Sequence, residues 1–410
     1  MSAVSDSLPI TETATPETQA DVAQALRDAY AARRAVYPLG GGTSLDYGLA
    51  PKQPGLGLSL GALQRVIDYP SRDLTITVEA GITIAELTAA MAAEGQQLPI
   101  DLPHAQVATL GGAIATNWSG ARRYGYGTLR DYIIGISAVD GRGTPFKAGG
   151  RVVKNVAGYD FCKLLTGSLG TLSVITQVTL KAKPRPQRSA FAVAAVNNLA
   201  AASALLDALA SSATTPVAIE LIAGIAWSDI SGELLPAGDL RIVVGLEGTA
   251  AEVDWMREQL AREWQPLGQS PEFITADLQV SALWTALNDF SSGPSELTVK
   301  INVLPSRAAE LVGVVRELDA TASIQAHAGN GIVLARFNEL PPGGMLATMV
   351  KRLQPAARAA GGSAVILSAN SGERTAQAVW GSPAADWPLM RAVKKQFDPH
   401  NILNPGRFVY

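Results

Sequence analysis

The chain has 410 residues, 47% of them hydrophobic and 17% charged, which excludes a disordered protein and calls for two domains. Its formal net charge is -3, so there is no basic excess with which to hold a nucleic acid. The single cysteine, Cys162, excludes an internal disulfide, a thiolate metal centre and an iron–sulfur cluster, and suits a reducing cytoplasm.

Residues 1–16 are polar and acidic, lack the basic start and apolar core of a signal peptide, and read as a flexible tail. Thr15 followed by Pro16 predicts a helix start, with Val22, Ala25, Leu26, Ala29 and Tyr30 as its apolar stripe. A short strand, Val36-Tyr37-Pro38, runs into a glycine loop. Leu74 to Val78 reads as a strand, and Thr83 with Glu86 as the capping box of a helix that Gly95 ends. Residues 133–139 and 144–147 flank Asp140-Gly141-Arg142-Gly143, a hairpin signal. Residues 172–181 alternate with a period of two, as a half-buried strand does. Pro184-Arg185-Pro186 then marks a domain boundary.

Beyond residue 189 the order is strand, helix, strand, strand, helix, strand, and then the same again. The second pass has strand 297–303, helix 306–318, strands 323–327 and 331–337, helix 344–360 and strand 363–367. This is the ferredoxin-like pattern twice over, and it predicts one sheet with helices on one face. The longest apolar stretches, 194–210 and 216–227, are too interrupted to span a bilayer. The fold class is therefore α+β.

Three segments carry chemistry. In Pro38-Leu39-Gly40-Gly41-Gly42-Thr43-Ser44-Leu45, three glycines let the backbone approach a ligand and turn its N–H groups the same way. Such a nest binds a pyrophosphate, with the Thr43 and Ser44 hydroxyls as further donors; a flexible hairpin loop is the plainer reading. No Gly-Lys-Ser/Thr follows, and no G-x-G-x-x-G opens a helix, so neither a Walker loop nor a Rossmann site is signalled. The second segment runs from Pro103 to Asp131. Its small residues at 111, 112, 113 and 115 leave room for a flat ring against a helix start, or for close helix packing. The third runs from Lys154 through Gly158-Tyr159-Asp160 and Gly170 to Leu172.

In this order and spacing the three segments resemble the FAD domain of the vanillyl-alcohol-oxidase type, also called the p-cresol-methylhydroxylase (PCMH) type. The ending Phe397-Asp398-Pro399-His400-Asn401-Ile402-Leu403-Asn404-Pro405-Gly406-Arg407-Phe408 resembles that of its lactate- and glycolate-oxidising branch. Val379-Trp380-Gly381 and Leu389-Met390-Arg391 are similar to the FAD-binding glycolate oxidase subunits of that branch.

The resemblance implies a tail over 1–16, a PCMH-type FAD-binding domain over 17–186, a ferredoxin-like α+β cap over 187–386, and a segment over 387–410 that returns to the FAD domain. It implies that Gly40, Gly41, Gly42, Thr43 and Ser44 hold the FAD pyrophosphate, with Pro38 and Leu45 flanking them. Thr109, Leu110, Gly111, Gly112, Ile114 and Ala115 would line the flavin and its ribityl chain, beside Pro103. Asn117, Ser119, Gly120 and Tyr124 would lie near the cofactor. Gly158, Tyr159 and Asp160 would help close the site, and Gly170, Ile175 and Asn404 would complete it. Neither His nor Cys occurs in the pyrophosphate loop, which implies non-covalent FAD.

Oxidising a 2-hydroxyacid requires a base for the hydroxyl proton and a cation for the carboxylate. Catalytic relatives in the D-lactate branch resemble one another in a motif His-x-Gly-Asp-Gly-Asn-x-His, often tied to a divalent metal. Here the stretch reads His327-Ala328-Gly329-Asn330-Gly331-Ile332-Val333-Leu334, without the acidic residue or the second His, and no metal site is expected. His327 is the candidate base and Arg336 the candidate carboxylate anchor; a strand-end cap and a surface partner are the plainer readings. Glu220 and Glu296 have no motif support. The resemblance implies an FAD-binding subunit that acts on glycolate or a related small 2-hydroxyacid beside a catalytic sister flavoprotein and an iron–sulfur subunit. A self-sufficient dehydrogenase and a non-catalytic assembly subunit are the alternatives. A cytoplasmic location is expected, with at most peripheral membrane association through partners.

Overall fold

Several helices in this chain start where a threonine and an acidic residue three positions later satisfy each other's backbone N–H. Thr18 Oγ1 accepts from Asp21 N at 3.2 Å and Asp21 accepts from Thr18 N at 3.0 Å, opening α1 (Gln19–Ala31). Thr83 and Glu86 open α2 (Ile84–Ala93) in the same way. The first helix therefore begins after Thr18 and not at Thr15-Pro16, because Thr15 has no acidic residue at the third position.

The computed structural model describes residues 8–150, 159–228, 234–371 and 374–410. The chain divides into two units. The first runs to Ser119, resumes over Thr128–Arg185 and closes with Pro383–Tyr410; the second comprises Gly120–Gly127 and Pro186–Ser382. The change at 185/186 falls within the Pro-Arg-Pro run. The stretch Gly120–Gly127, with its short helix, belongs to the second unit, although the sequence reads it as one piece with the glycine-rich segment around it.

In the first unit, β1 (Ile10–Ala14), β2 (Ala35–Leu39) and β3 (Gly55–Ser59) form a parallel sheet in the order β1-β3-β2. Residues 10–14 are thus an edge strand and not a tail. Pairing with β3 satisfies their backbone, and Ile10 packs against the buried cluster of Leu8, Tyr37 and Leu39. A second sheet contains β4 (Val66–Asp68), β5 (Thr75–Glu79), β7 (Ile133–Asp140), β8 (Pro145–Gly149) and β9 (Ser173–Lys181), in the order β4-β5-β9-β7-β8. A two-stranded pair joins β6 (Gln96–Gln97) to β10 (Lys183–Pro184). Because β9 is central, Ser173 and Ile175 are buried along with Val174; only Gln177, Thr179 and Lys181 retain the half-exposed face that the alternation predicts. Ile76, Val78, Leu87 and Met91 pack with Leu110 and Ile114 of α3 (Leu110–Thr116) to form the core under this sheet.

The second unit is one eight-stranded antiparallel sheet. Its strands are β11 (Arg188–Val196), β12 (Ala218–Ala223), β13 (Leu240–Gly248), β14 (Glu272–Ile274), β15 (Leu297–Asn302), β16 (Ser323–His327), β17 (Ile332–Phe337) and β18 (Ser363–Ala369). The order β14-β11-β13-β12-β16-β17-β15-β18 is two ferredoxin-like units joined along β12 and β16. Helices do not keep to one face. Trp284 of the helix Asp277–Asp289 lies where a Cβ on Gly245 of β13 would meet it at 2.7 Å, and its ring centroid is 4.5 Å from that of Phe191 on β11. Glu247 of β13 accepts from Arg122 Nε and from Tyr126 of the 120–127 stretch, each at 2.9 Å. Register places Gly245, Phe191 and Glu247 on the same face as Glu220 and His327. Ile219, on the opposite face, shares a cavity with Leu206 and Ala309 of the crossover helices Leu199–Ala210 and Ala308–Leu318.

Candidate functional site

In the first unit the end of β2, the start of α3, the loop before β9 and the C-terminal segment enclose a cleft. Its first wall is Gly40 to Leu45. Gly40 and Gly41 lie so close to the second segment that a Cβ on Gly40 would sit 2.2 Å from Thr109 Oγ1, and one on Gly41 only 1.7 Å from Val107 O. Thr109 caps α3, its hydroxyl accepting from Gly112 N at 3.3 Å. Gly111 packs backbone to backbone on Ala80, donating to its carbonyl at 2.7 Å.

The C-terminal segment forms the facing wall. Val36 N donates to Ile402 O at 2.7 Å, and Asn404 N donates to Val36 O at 2.9 Å. The Asn404 side chain donates to Leu169 O at 2.8 Å, beside Gly170, whose φ of 63° is the left-handed conformation glycine favours. Arg407, buried, donates to Leu45 O and Tyr47 O, while its own carbonyl accepts from Leu49 N. One C-terminal arginine therefore clasps the end of the glycine loop. Burial pushes the Tyr47 hydroxyl up to about 12, so it stays neutral. Ser173 Oγ is buried with no hydrogen-bond partner among the described residues, and it lines the cleft.

Of the predicted cofactor residues, Pro38, Gly40, Gly41, Gly42, Thr43, Ser44 and Leu45 line this cleft. So do Pro103, Thr109, Gly111, Gly112, Ala115, Gly170, Ile175 and Asn404. Leu110 and Ile114 do not: on a helix these positions point the other way, into the core. Asn117 ends α3 in a left-handed conformation and Ser119 is buried, both away from the lining. Tyr159 is 89% exposed, and Asp160 caps the helix Phe161–Leu165, accepting from Lys163 N. Gly120 belongs to the second unit, and so does Tyr124, which packs beside Gly329. Gly158 lies outside the described residues. The sequence reading missed Tyr47, Trp118, Ser173 and Arg407, which the loops bring to the lining without a local pattern to announce them. Burial, with Asp160 adding to it, pushes the Cys162 thiol up to about 11, which makes it inert.

In the second unit His327 ends β16, 2% exposed, directly opposite the fully buried Glu220 on β12. Its Nδ1 lies 2.9 and 2.8 Å from the two Glu220 oxygens, and Gln325 donates to the same carboxylate at 2.9 Å. Nε2 is buried without a partner among the described residues. An ionised Glu220 makes Nδ1 the donor and leaves Nε2 as the acceptor. Glu220, which no motif picked out, is thus the residue that orients the histidine.

Arg336 is not a surface residue. It is buried, donates to Phe290 O at 2.9 Å and Pro294 O at 2.6 Å, and lies over the Phe290 ring. Those carbonyls fix the turn after the helix Asp277–Asp289 and take up Nη1 and Nη2, while Nε is buried without a partner among the described residues. Among the described residues no group of three His, Cys, Asp or Glu is placed to hold a metal ion, and no helix is long and apolar enough to cross a membrane.

A glycine-walled cleft with a wide apolar flank accommodates a flat ring system joined to a phosphate-bearing tail, and flavoproteins are the class so defined. Residues 11–149 match the FAD binding domain family, and residues 380–408 match the C-terminal domain of FAD linked oxidases. The chain thus carries matches to both the FAD binding domain and the C-terminal domain of FAD linked oxidases, and FAD is its cofactor. It is 32% identical to glycolate oxidase subunit GlcD of Bacillus subtilis over 46% of this chain, a region spanning 40% of that relative. It is 28% identical to glycolate oxidase subunit GlcE of Escherichia coli over 83% of this chain and 84% of the relative. D-2-hydroxyglutarate dehydrogenase of Xanthomonas citri is also 28% identical, over 96% of this chain and 88% of its own length. The fold is similar to that of p-cresol methylhydroxylase, with a TM-score of 0.71, 17% identity and coverage of 98% of this chain and 90% of that one.

Proposed function

We propose that this chain is the FAD-bearing subunit of a glycolate-oxidising complex, in which it works beside a sister flavoprotein and an iron–sulfur subunit. The observation that carries this reading is the cleft whose walls are the glycine loop, α3 and the C-terminal segment. The GlcE relative supports the subunit role, since the similarity extends over most of both chains. A cytoplasmic location follows from this reading, with membrane association only through partners.

The Gly40–Ser44 nest holds the FAD pyrophosphate, while Gly111, Gly112 and Ala115 leave a flat face for the ring system. Ser173 Oγ, buried and without a partner among the described residues, would offer the cofactor a hydrogen bond. Among the described residues no His or Cys lines the cleft, which supports non-covalent binding of the cofactor. Arg407 keeps the loop closed. Arg407→Leu removes the donor to Leu45 O and Tyr47 O, and is expected to lower FAD affinity about tenfold, roughly the 1.5 kcal/mol lower bound for a charged hydrogen bond. Fluorescence titration of FAD into the stripped protein checks this; unchanged affinity removes Arg407 from the site.

When bound, FAD would supply the hydride acceptor for oxidation of a 2-hydroxyacid. Glu220 holds His327 with Nδ1 as donor, and Nε2 takes the hydroxyl proton as general base. This dyad specifically favours a second reading, a self-sufficient 2-hydroxyacid dehydrogenase, for which the D-2-hydroxyglutarate dehydrogenase relative is a precedent. The test is the visible spectrum of the purified, anaerobic chain before and after glycolate. Flavin that stays oxidised alone but bleaches with the partner subunits supports the subunit reading. Bleaching of the isolated chain supports the second reading, and flavin inert under both conditions leaves an assembly role. A chain that holds no FAD defeats all three.

A further inference from the structure

We propose that Gln325 is a positioning residue that decides which ring nitrogen of His327 is free to take the substrate's proton. This role deepens the 2-hydroxyacid reading above and rests on it, since a positioned base serves a reaction in which a hydroxyl proton must leave.

The geometry comes from the pairing of two strands. Glu220 on β12 lies directly opposite His327 on β16, and Ile222 lies opposite Gln325. Gln325 and His327 are two residues apart on one strand, so they share a face, and the Glu220 carboxylate lies within reach of both. Gln325 Nε2 donates to Glu220 Oε2 at 2.9 Å, while His327 Nδ1 stands 2.9 Å from Oε1 and 2.8 Å from Oε2. All three side chains are closed off from solvent; Gln325 is 1% exposed. The residues opposite them on the flanking strands, Val243, Leu334 and Ile332, are apolar.

The chemistry follows from which groups can donate. The nitrogen of an amide side chain only donates, and turning the Gln325 amide over would set its oxygen against the carboxylate. A donor fixed on Oε2 favours the ionised, acceptor-only form of Glu220. The hydrogen between Glu220 and His327 then belongs to Nδ1, and Nε2 keeps its lone pair. Were Glu220 protonated, its hydroxyl would donate to Nδ1 and the ring hydrogen would move to Nε2. A ring with hydrogen on Nε2 cannot take a proton there. Gln325 therefore acts through two groups: it holds the carboxylate ionised, and the carboxylate fixes the tautomer. Nε2, buried without a partner among the described residues, is left as the acceptor for the hydroxyl proton.

The test is nitrogen NMR of the full, FAD-loaded chain labelled in its histidines, with flavin content read from the absorption spectrum. The chain has three histidines, His104, His327 and His400, and a His327→Gln chain assigns the signals. A ring nitrogen that bears hydrogen resonates far from a bare one. The parent is expected to show hydrogen on Nδ1 and a bare Nε2. Gln325→Met keeps the unbranched stem without the donor, and is expected to show a mixture of tautomers. Gln325→Lys returns a donor to Glu220 and is expected to restore the parent signals. Under the conditions in which glycolate reduces the parent's flavin, Gln325→Met is expected to slow reduction about tenfold to a hundredfold, the range of one hydrogen bond to a charged group. The half-saturating glycolate concentration is expected to stay within about twofold of the parent's, since the loss falls on the proton transfer and not on binding. Hydrogen on Nε2 in the parent overturns the proposal, whatever the variants do. So does a flavin-loaded Gln325→Met chain that keeps the parent signals. The expected signals in a chain whose flavin no 2-hydroxyacid reduces, alone or with partners, keep the tautomer assignment and overturn the 2-hydroxyacid reading instead.

Discussion

Gly41→Ala is expected to yield protein with almost no bound FAD. The added methyl group would sit 1.7 Å from Val107 O and 2.5 Å from Val107 C, both backbone atoms in the segment that leads into α3. No rotamer change relieves a clash with backbone, so the two walls of the cleft must separate. Overpacking of this kind costs typically about 1–3 kcal/mol and more where the backbone is pinned. The segment is pinned, since Val107 N and Ala108 N both donate to His104 O and Ile84 N donates to Ala108 O. Separation turns the glycine-loop N–H groups away from a common centre, so an FAD affinity lower by at least about a hundredfold is expected, on the order of 3 kcal/mol. The flavin-to-protein ratio after gel filtration measures it. Gly61→Ala is the control, since its Cβ would meet nothing closer than 3.7 Å. If Gly41→Ala purifies yellow with full flavin content, the loop does not hold the cofactor.

Asp398→Ala is expected to destabilise the first unit by about 3–5 kcal/mol, the cost of leaving one member of a buried ion pair alone. Lys394 Nζ donates to Asp398 at 2.6 Å, to Thr171 O at 2.7 Å and to Leu403 O at 3.0 Å. Asp398 in turn accepts from Ile402 N and Leu403 N, which sets the turn that sends Asn404 and Arg407 to the cleft. Loss of the carboxylate therefore loosens cofactor binding as well as the fold. The pH dependence has a definite sign. Burial already holds the Lys394 ammonium below its ordinary value, against the pull of Asp398, and without Asp398 it falls further. Between the lowered folded value and the ordinary unfolded one, the unfolded chain binds more protons, so the variant's stability deficit shrinks as pH rises through that window. Urea unfolding at neutral and alkaline pH, read by tryptophan fluorescence, tests both claims. The double variant Lys394→Met, Asp398→Ala is expected to recover most of the loss, because no buried charge remains. A single variant as stable as the parent would show that the pair does not hold the C-terminal segment.

Much of the architecture was written locally. Thr83 and Glu86 announced a helix because a capping box needs only residues three apart, and the paired strand–helix–strand passes announced a double ferredoxin-like sheet through periodicity alone. The three glycine-dense segments could be read as cofactor loops because a backbone that approaches a ligand must lack side chains, whatever lies around it. The errors share the opposite cause. Residues 10–14 looked like a tail because a polar edge strand is stabilised by its partner β3 and not by its own composition. Leu110 and Ile114 shared a segment with lining residues, but helical geometry turned them to the core.

By itself the sequence determined what local chemistry determines: two units, their secondary structure, a cleft walled by glycine, and the absence of the fuller histidine motif. Tertiary structure alone decided which polar groups meet. Glu220 lies 107 residues from His327 and reaches it only because β12 and β16 are neighbours in the sheet. Arg407 lies 362 residues from Leu45 and reaches it only because the last segment pairs beside β2. Arg336 has the charge for an anion, but two of its nitrogens are taken by the carbonyls of Phe290 and Pro294, which lie more than 40 residues away in the chain. Buried polar groups must be satisfied by whatever the fold brings within about 3 Å, and such partners are fixed by strand order, not by distance along the chain.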